Sequence, residues 1–384
     1  MFGMNFKKII SVILTISLIS AVTFACEKAY VLEEKYYLAP NLLEMNRVQI
    51  DHNLDENEVE AFQFVRRHMS SQSGGVFTNY LDTQEVKDHA TGHEVLSESM
   101  GLLMLYAVQE NDKDLFDQQF TLTIRALLEP TYLVKWRIKD SDRNLSMSSA
   151  SIDDLRIARA LILAKELWGD EKYSVFLDKI SEDMLQLNLS SGQLTNYYNH
   201  ETEETGTIID LSYLDLRTMA ILSKTDSKWV RPLGHGLTTI KGGYISDTFP
   251  LYHRSYDVEN EAYIKVNTIN IIDSLTTMLH LSEVGELEQN SVDWLYKQLI
   301  EVGHIYIQYD VNGKQTSQLE STAAYALVAR LAKAVGDQQL YKLAIAKMSL
   351  YQIKDKSSVL YGAFGDDQTL QVFSYDNLQA LLAY

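Results

Sequence analysis

Apolar residues recur along this chain at spacings of three and four, the period of a helical stripe. Over 93–110, Leu96, Met100, Leu103 and Ala107 form one stripe, which Met104 and Val108 widen. Over 152–168, apolar residues fall on nearly every face: Leu155, Ile157, Ala158, Leu161, Ile162 and Ala164. A helix that is apolar all round is buried inside a larger protein. The stretch 318–335 behaves the same way, and Gly336 supplies a stop signal. By contrast, 113–128, 171–187, 290–303 and 338–351 are apolar on one side only. With 57–70, 209–223, 226–237, 267–283 and 374–384, the pattern predicts about twelve helices, and short strands in a few connections such as 303–309. Alternating buried and one-sided helices predict six helical hairpins closed into a double ring. The expected fold class is therefore all-α, an (α/α)6 barrel whose inner-helix ends line one groove; an irregular α-solenoid is the alternative. No repeat of fixed period and no composition break interrupts 27–384, so one domain is expected there.

Composition narrows the function classes. At 46% hydrophobic residues over 384, the chain is too apolar to be generally disordered. Its net charge of −18 and pI near 4.9 exclude a nucleic-acid footprint and make anionic lipid a poor partner. A neutral or cationic ligand is easier to accept, and a monomer is expected. The single cysteine, Cys26, excludes an internal disulfide and a zinc site built from cysteines. It closes an uncharged, Ile/Val/Leu-rich run that follows Lys7 and Lys8. Residues 1–26 thus read as a signal peptide, or as a lipoprotein signal or short anchor. Cleavage after Ala25 and lipidation of Cys26 are both compatible with Thr23-Phe24-Ala25. Either way the mature chain is expected outside the cell or on its surface, touching membrane only through this segment.

Candidate chemistry is sparse but ordered. Glu94 and Glu98 lie four apart on one predicted helix, and Glu98 is embedded among Leu96, Met100, Leu102 and Leu105. Burial raises a carboxyl pKa and suits a general acid. A Glu satisfied by an arginine or a backbone amide is the commoner reading of that pattern. Asp153 and Asp154 follow Ser148-Ser149-Ala150-Ser151 at a predicted helix start, where acidic residues also serve as caps. The 23 tyrosines are dense in loops, among them Tyr197, Tyr198, Tyr244, Tyr252, Tyr256 and Tyr263, and suit sugar faces. Trp136 sits beside charges after a predicted helix and is the better stacking candidate. His89 and His93 lie four apart but form no H-E-x-x-H motif, so no metal site is expected. No phosphate loop and no G-x-S-x-G elbow occur.

At these residues the sequence resembles glycoside hydrolase family 8 and allied bacterial (α/α)6 families such as family 126. Leu96-Ser97-Glu98-Ser99-Met100-Gly101, followed by MLYAVQENDKDLFD, looks like the family's S-E-G-x-G-Y-G-M segment, which places the catalytic acid on Glu98. SASIDDLRIARALILAKELWGDEKY resembles A-T-D-x-D-x-x-I-A-x-A-L-L-x-A followed by W-G-D-x-x-Y. Asp154 takes the second aspartate, and Ile152 replaces the first. Trp136 looks like the family's sugar-stacking tryptophan. LSYLDLRTMA resembles its P-S-Y segment and places Tyr213, and SYDNLQALLAY resembles its closing helix. The matches run in order over about 95–384. The resemblance implies an (α/α)6 barrel and inverting hydrolysis of a β-linked glucan, xylan or chitosan, with no cofactor.

The base is the open position. The family takes it from an S-Y-D-A-x-R segment that opens a late inner helix. Ser255-Tyr256-Asp257 has those letters, whereas matching the helix predicted from 267 puts Asn267 there. The expected order is Asp257, then Asp154, then Asp273, with Trp136, Tyr213, Asp153 and Tyr256 contacting sugar. The expected function is an exported, endo-acting, inverting hydrolase of a β-linked polysaccharide: an exopolysaccharide, a glucan or a hexosamine polymer. The alternatives are a glycan-binding protein that has lost its base, and a helical scaffold whose groove lacks convergent carboxylates.

Overall fold

The computed structural model describes residues 55–384 apart from 84 and 86–88. The expected targeting segment at 1–26, with Cys26, lies outside the described residues. Twelve α-helices are present among the described residues: α1 (Asp55–His68), α2 (Ser97–Gln109), α3 (Lys113–Arg125), α4 (Ser151–Trp168), α5 (Glu171–Leu187), α6 (Leu216–Thr225), α7 (Val230–Gly242), α8 (Ile271–Glu283), α9 (Gln289–Lys297), α10 (Thr322–Val335), α11 (Gln338–Met348) and α12 (Ser374–Ala383).

The even-numbered helices form the inner ring. Each packs on the next, α2 on α4, α4 on α6, α6 on α8, α8 on α10 and α10 on α12, and α12 closes back onto α2. Outside them, α3 packs on α2, α5 on α4, α7 on α6, α11 on α10, and α1 on α12. This is the (α/α)6 barrel. The stretches that are apolar all round are the inner helices α4 and α10. The one-sided stretches are the outer helices α3, α5, α9 and α11. Among the described residues no helix is long and apolar enough to cross a membrane.

Local chemistry sets the helix ends. Asp112, Asp170, Asn270, Ser321 and Asp337 cap the N-termini of α3, α5, α8, α10 and α11 with their side chains. Gly169 and Gly336 end α4 and α10 at φ of 65° and 74°, where a side chain would be strained. The inner helices α2, α4 and α12 follow Leu96, Ala150 and Phe373 at the cap position, none of which caps with its side chain.

Short antiparallel strand pairs join the helices on the side of the inner N-termini, and they shift several predicted starts. Val95–Leu96 pairs with Arg137–Ile138, so α2 begins at Ser97 and Glu94 precedes it. Glu94 therefore shares no helix face with Glu98; it is buried and pairs with Arg137 at 3.3 Å. Ile208–Asp210 pairs with Ser255–Asp257, and the turn Leu211–Tyr213 follows before α6. Thr268–Asn270 pairs with Gln308–Asp310 and delays α8 to Ile271, so Asn267 opens no helix.

Candidate active site

The N-terminal ends of the inner helices surround a cavity of about 560 Å3. Its charged lining is Glu98, Asp153, Arg156, Asp210, Arg254 and Asp273. Trp136, Tyr197, Tyr213 and Tyr375 supply aromatic faces, and Ile152 and Ile272 are apolar. The positive ends of the inner helix dipoles point into a space that holds four carboxyl groups.

Glu98 is the second residue of α2. Burial pushes its carboxyl up to about 7; Arg156 pulls against this and Asp153 adds to it. Asp153, in the first turn of α4, accepts hydrogen bonds from Ser97 Oγ at 2.6 Å and from Arg156 at 2.5 Å. It also accepts the backbone N–H of Glu98, and so does for α2 what a cap residue does elsewhere. Burial raises its own pKa, against the pull of Arg156. Gly101 lets α4 approach this closely: a Cβ there would stand 3.2 Å from the Arg156 side chain. The Tyr213 hydroxyl faces Asp153, Asp210 and Glu98, and burial raises its pKa.

Across the ring, Asp273 lies in the first turn of α8, and burial pushes its carboxyl up to about 6, with Arg254 opposing. Arg254 bridges it to Asp210, at 3.4 Å from Asp273 Oδ2 and 3.7 Å from Asp210 Oδ2. The other Asp210 oxygen accepts the Ser255 hydroxyl. Asp273 Oδ1 has no protein partner among the described residues. Helices α2 and α8 are three places apart in a ring of six, so Glu98 and Asp273 stand on opposite walls.

Of the residues expected from sequence, the cavity gathers Glu98, Asp153, Trp136 and Tyr213. Trp136 is half-buried, with the Arg137 guanidinium 4.5 Å from its ring centre. Asp154 is not at the cavity. One step along a helix turns a side chain by about 100°, and its Oδ1 accepts from Val134 N–H at 3.0 Å inside the core. Asp257 is not there either. Its carboxylate accepts from Glu259 N–H, Asn260 N–H and the Asn260 amide, an exposed turn that lowers its pKa chiefly through Asn260. The Ser-Tyr-Asp letters thus belong to a hairpin, in which Tyr256 packs on Tyr263 at 5.1 Å. Asp273, placed two turns deep from sequence, is at the groove mouth because α8 starts later than its apolar pattern. Asp210, Arg156, Arg254 and Tyr375 were missed. Tyr375 alone carried a visible signal, the closing-helix motif.

His89 is exposed, and His93 stacks on Phe77 at 3.9 Å and contacts Tyr80 O at 3.1 Å. Asp215, His280 and Glu283 hold ligand-type atoms within 4.8 Å of one another. The cation there is Arg159, which donates to Glu283 twice at 2.7 Å and also to Asp215.

A ring of paired helices with opposed carboxyl groups and aromatic faces at its mouth defines an (α/α)6 glycosidase. Residues 46–191 match the model for glycosyl hydrolases family 8. A solved structure described as a novel α-amylase from Clostridium perfringens is 37% identical, with a TM-score of 0.81, and the alignment covers 87% of this chain and 98% of that one. The chain belongs to the family 8-like bacterial glycosidases. Endoglucanase Cel10 from Klebsiella pneumoniae, a family 8 glycosyl hydrolase, shares the fold at 19% identity and a TM-score of 0.60, covering 84% of this chain and 97% of its own. A Bacillus subtilis (strain 168) protein, YdaJ, provisionally named a lipoprotein, is 27% identical over 83% of this chain and 84% of its own length.

Proposed function

We propose that this glycosidase is an exported, endo-acting, inverting hydrolase of a β-linked polysaccharide, with Glu98 as acid and Asp273 as base. The observation that carries this reading is the placement of Glu98 and Asp273 on opposite walls of one cavity, with the Glu98 carboxyl held up to about 7 and that of Asp273 up to about 6. Between those values Glu98 keeps its proton while Asp273 is ionised. Glu98 passes its proton to the glycosidic oxygen, and that bond breaks as the leaving sugar departs as an alcohol. Water attacks the anomeric carbon from the opposite face and gives its proton to the Asp273 carboxylate. Inverting pairs of this kind stand about 6.5–9.5 Å apart, leaving room for the water. Asp153 positions Glu98, and Arg254 orients Asp273. Trp136 and Tyr213 serve sugar binding; Tyr256 and Asp257 are dropped from the site.

Convergent carboxyl groups argue against the impaired glycan-binding alternative and against the scaffold. A second substrate reading, an α-linked glucan, is favoured by the 37% identical relative described as an α-amylase. It also fits Ile152, which puts an apolar side chain in the cavity where the family has its first aspartate. Reducing-end release from β-glucan, xylan, chitosan and soluble starch separates the two, and proton NMR of the first product reads its anomeric configuration. Inverted product from a β-glycan is expected; starch as the sole substrate transfers the reading to α-glucan, and retained configuration removes Asp273 from the base role. Export is supported by the N-terminal segment and by the lipoprotein label of the Bacillus subtilis relative. A Cys26→Ser change should release the protein into the medium if Cys26 is lipidated, and full-length chain in the cytoplasm argues against export.

A further inference from the structure

Directly beneath the substrate cavity is a second, small cavity of about 20 Å3, room for one water or one monatomic anion. Ile152, Arg156 and Thr276 line both spaces. Three guanidinium groups converge on the lower one: Arg156 and Arg159 from α4, and Arg330 from α10.

Their charges are unequally matched. Arg156 pairs with Asp153, and Arg159 with Asp215 and Glu283. Among the described residues no carboxylate forms an ion pair with Arg330, whose guanidinium donates to the neutral Gln379 side chain. Burial brings its pKa down to about 10; Glu283, the strongest of the charges acting on it, pulls the other way, and Arg159 and Arg156 add to the lowering. Asp215 is the one carboxylate in the wall, and both its oxygens are taken, Oδ1 by Arg159 and the Thr218 N–H and Oδ2 by the Thr218 hydroxyl. His280 commits Nε2 to Ser212 O at 3.1 Å, and its Nδ1 lies 4.0 Å from Glu283. Of the three guanidinium groups in the wall, Arg330 is the one with no carboxylate at ion-pair distance among the described residues. A buried charge is costly unless something of opposite sign meets it.

We propose that this cavity binds one small monovalent anion, of chloride size, held chiefly by Arg330 and Arg156. A carboxylate or phosphate exceeds the space. The consequence for the site above follows from Arg156, which faces both. The groups around Glu98 are Arg156 and Asp153 of α4, Tyr213 of the turn before α6 and Tyr375 of α12. An anion against Arg156 weakens the one cation that pulls the Glu98 proton off. Glu98 then stays protonated to higher pH, and the enzyme is anion-activated on its alkaline side. This link rests on Glu98 being the acid; the binding itself does not.

The test is a crystal structure of the intact protein soaked in bromide, read by anomalous scattering. A peak between Arg330 and Arg156 is expected in the wild type, and none in Arg330→Gln. A cavity holding only water, or a peak that survives in Arg330→Gln, overturns the site. The wild-type result stands even if the variant fails to fold. In solution, replacing gluconate by chloride at constant ionic strength should raise the alkaline limb of the pH profile by about half a unit, the effect of a screened unit charge. Arg330→Gln should abolish that shift. A bromide peak without the shift overturns the link to Glu98, and absence of all hydrolysis counts against the proposed activity while leaving the density readable.

Discussion

Replacing Asp153 by Asn should move the alkaline limb of hydrolysis to lower pH. Asp153 holds up the Glu98 carboxyl in two ways: its own charge disfavours a second anion, and its 2.5 Å bond to Arg156 blunts the pull of that guanidinium. Asn removes both effects. It keeps an oxygen for Ser97 Oγ and for the Glu98 N–H, so the start of α2 is retained. Neighbouring unit charges at an effective dielectric near 20 interact by about 2–4 kcal/mol before screening. Screening by solvent in the open cavity leaves a shift of about one pKa unit, or about 1.4 kcal/mol. From a starting value of about 7, the fraction of Glu98 carrying its proton at pH 6.5 then falls from about three quarters to about a quarter. The profile of kcat/KM against pH on a soluble polysaccharide reads this directly. Activity at pH 6.5 should fall about threefold, while the acid limb, set by Asp273, stays in place. An alkaline limb that stays fixed or moves up, in a variant that melts normally, refutes the role given to Asp153.

Other outcomes follow from the same geometry. The wild-type profile should be bell-shaped, with limbs near the Asp273 and Glu98 values of about 6 and 7. Glu98→Gln should lower kcat by at least about 10²-fold, in line with general-acid contributions. Relative to the wild type it should also gain stability as pH rises. The folded Glu98 value lies above the ordinary 4.5, so the folded wild type holds the extra proton and loses stability as pH climbs from 4.5 to about 7. Thermal melts at pH 5 and pH 8 should show the Gln variant ahead only at pH 8, by on the order of 2 kcal/mol. Trp136→Ala should weaken oligosaccharide binding by on the order of 1 kcal/mol with little change in melting; a large stability loss with normal binding reassigns it to the core. Asp257→Asn should leave hydrolysis near the wild-type rate, since that carboxylate only closes a turn; a dead variant restores it to the site.

Hydrophobic periodicity made the ring legible. A helix packed on all sides, such as α4, must be apolar all round, and one facing solvent, such as α5, cannot be. Helix starts were less legible for a physical reason. Val95–Leu96 and Thr268–Asn270 continue the apolar pattern of the helices behind them, and only their pairing with distant strands takes them out of the helix. That displacement decided the base: counted from 267, Asp273 looks deep, and counted from Ile271 it is in the first turn. Asp153 and Asp154 show another limit, because adjacent residues on a buried helix face different neighbours and periodicity alone does not say which faces the groove. Asp210 and Arg254 meet through strand pairing between segments 44 residues apart, a contact with no local signature.

The central claim is that Asp273, opposite Glu98, receives the proton of the attacking water. The most direct measurement is kcat for Asp273→Asn, alongside oligosaccharide affinity by calorimetry. The account predicts a fall in kcat of at least about 10²-fold with affinity kept within a few fold. Turnover close to that of the wild type in a correctly folded Asp273→Asn protein contradicts it.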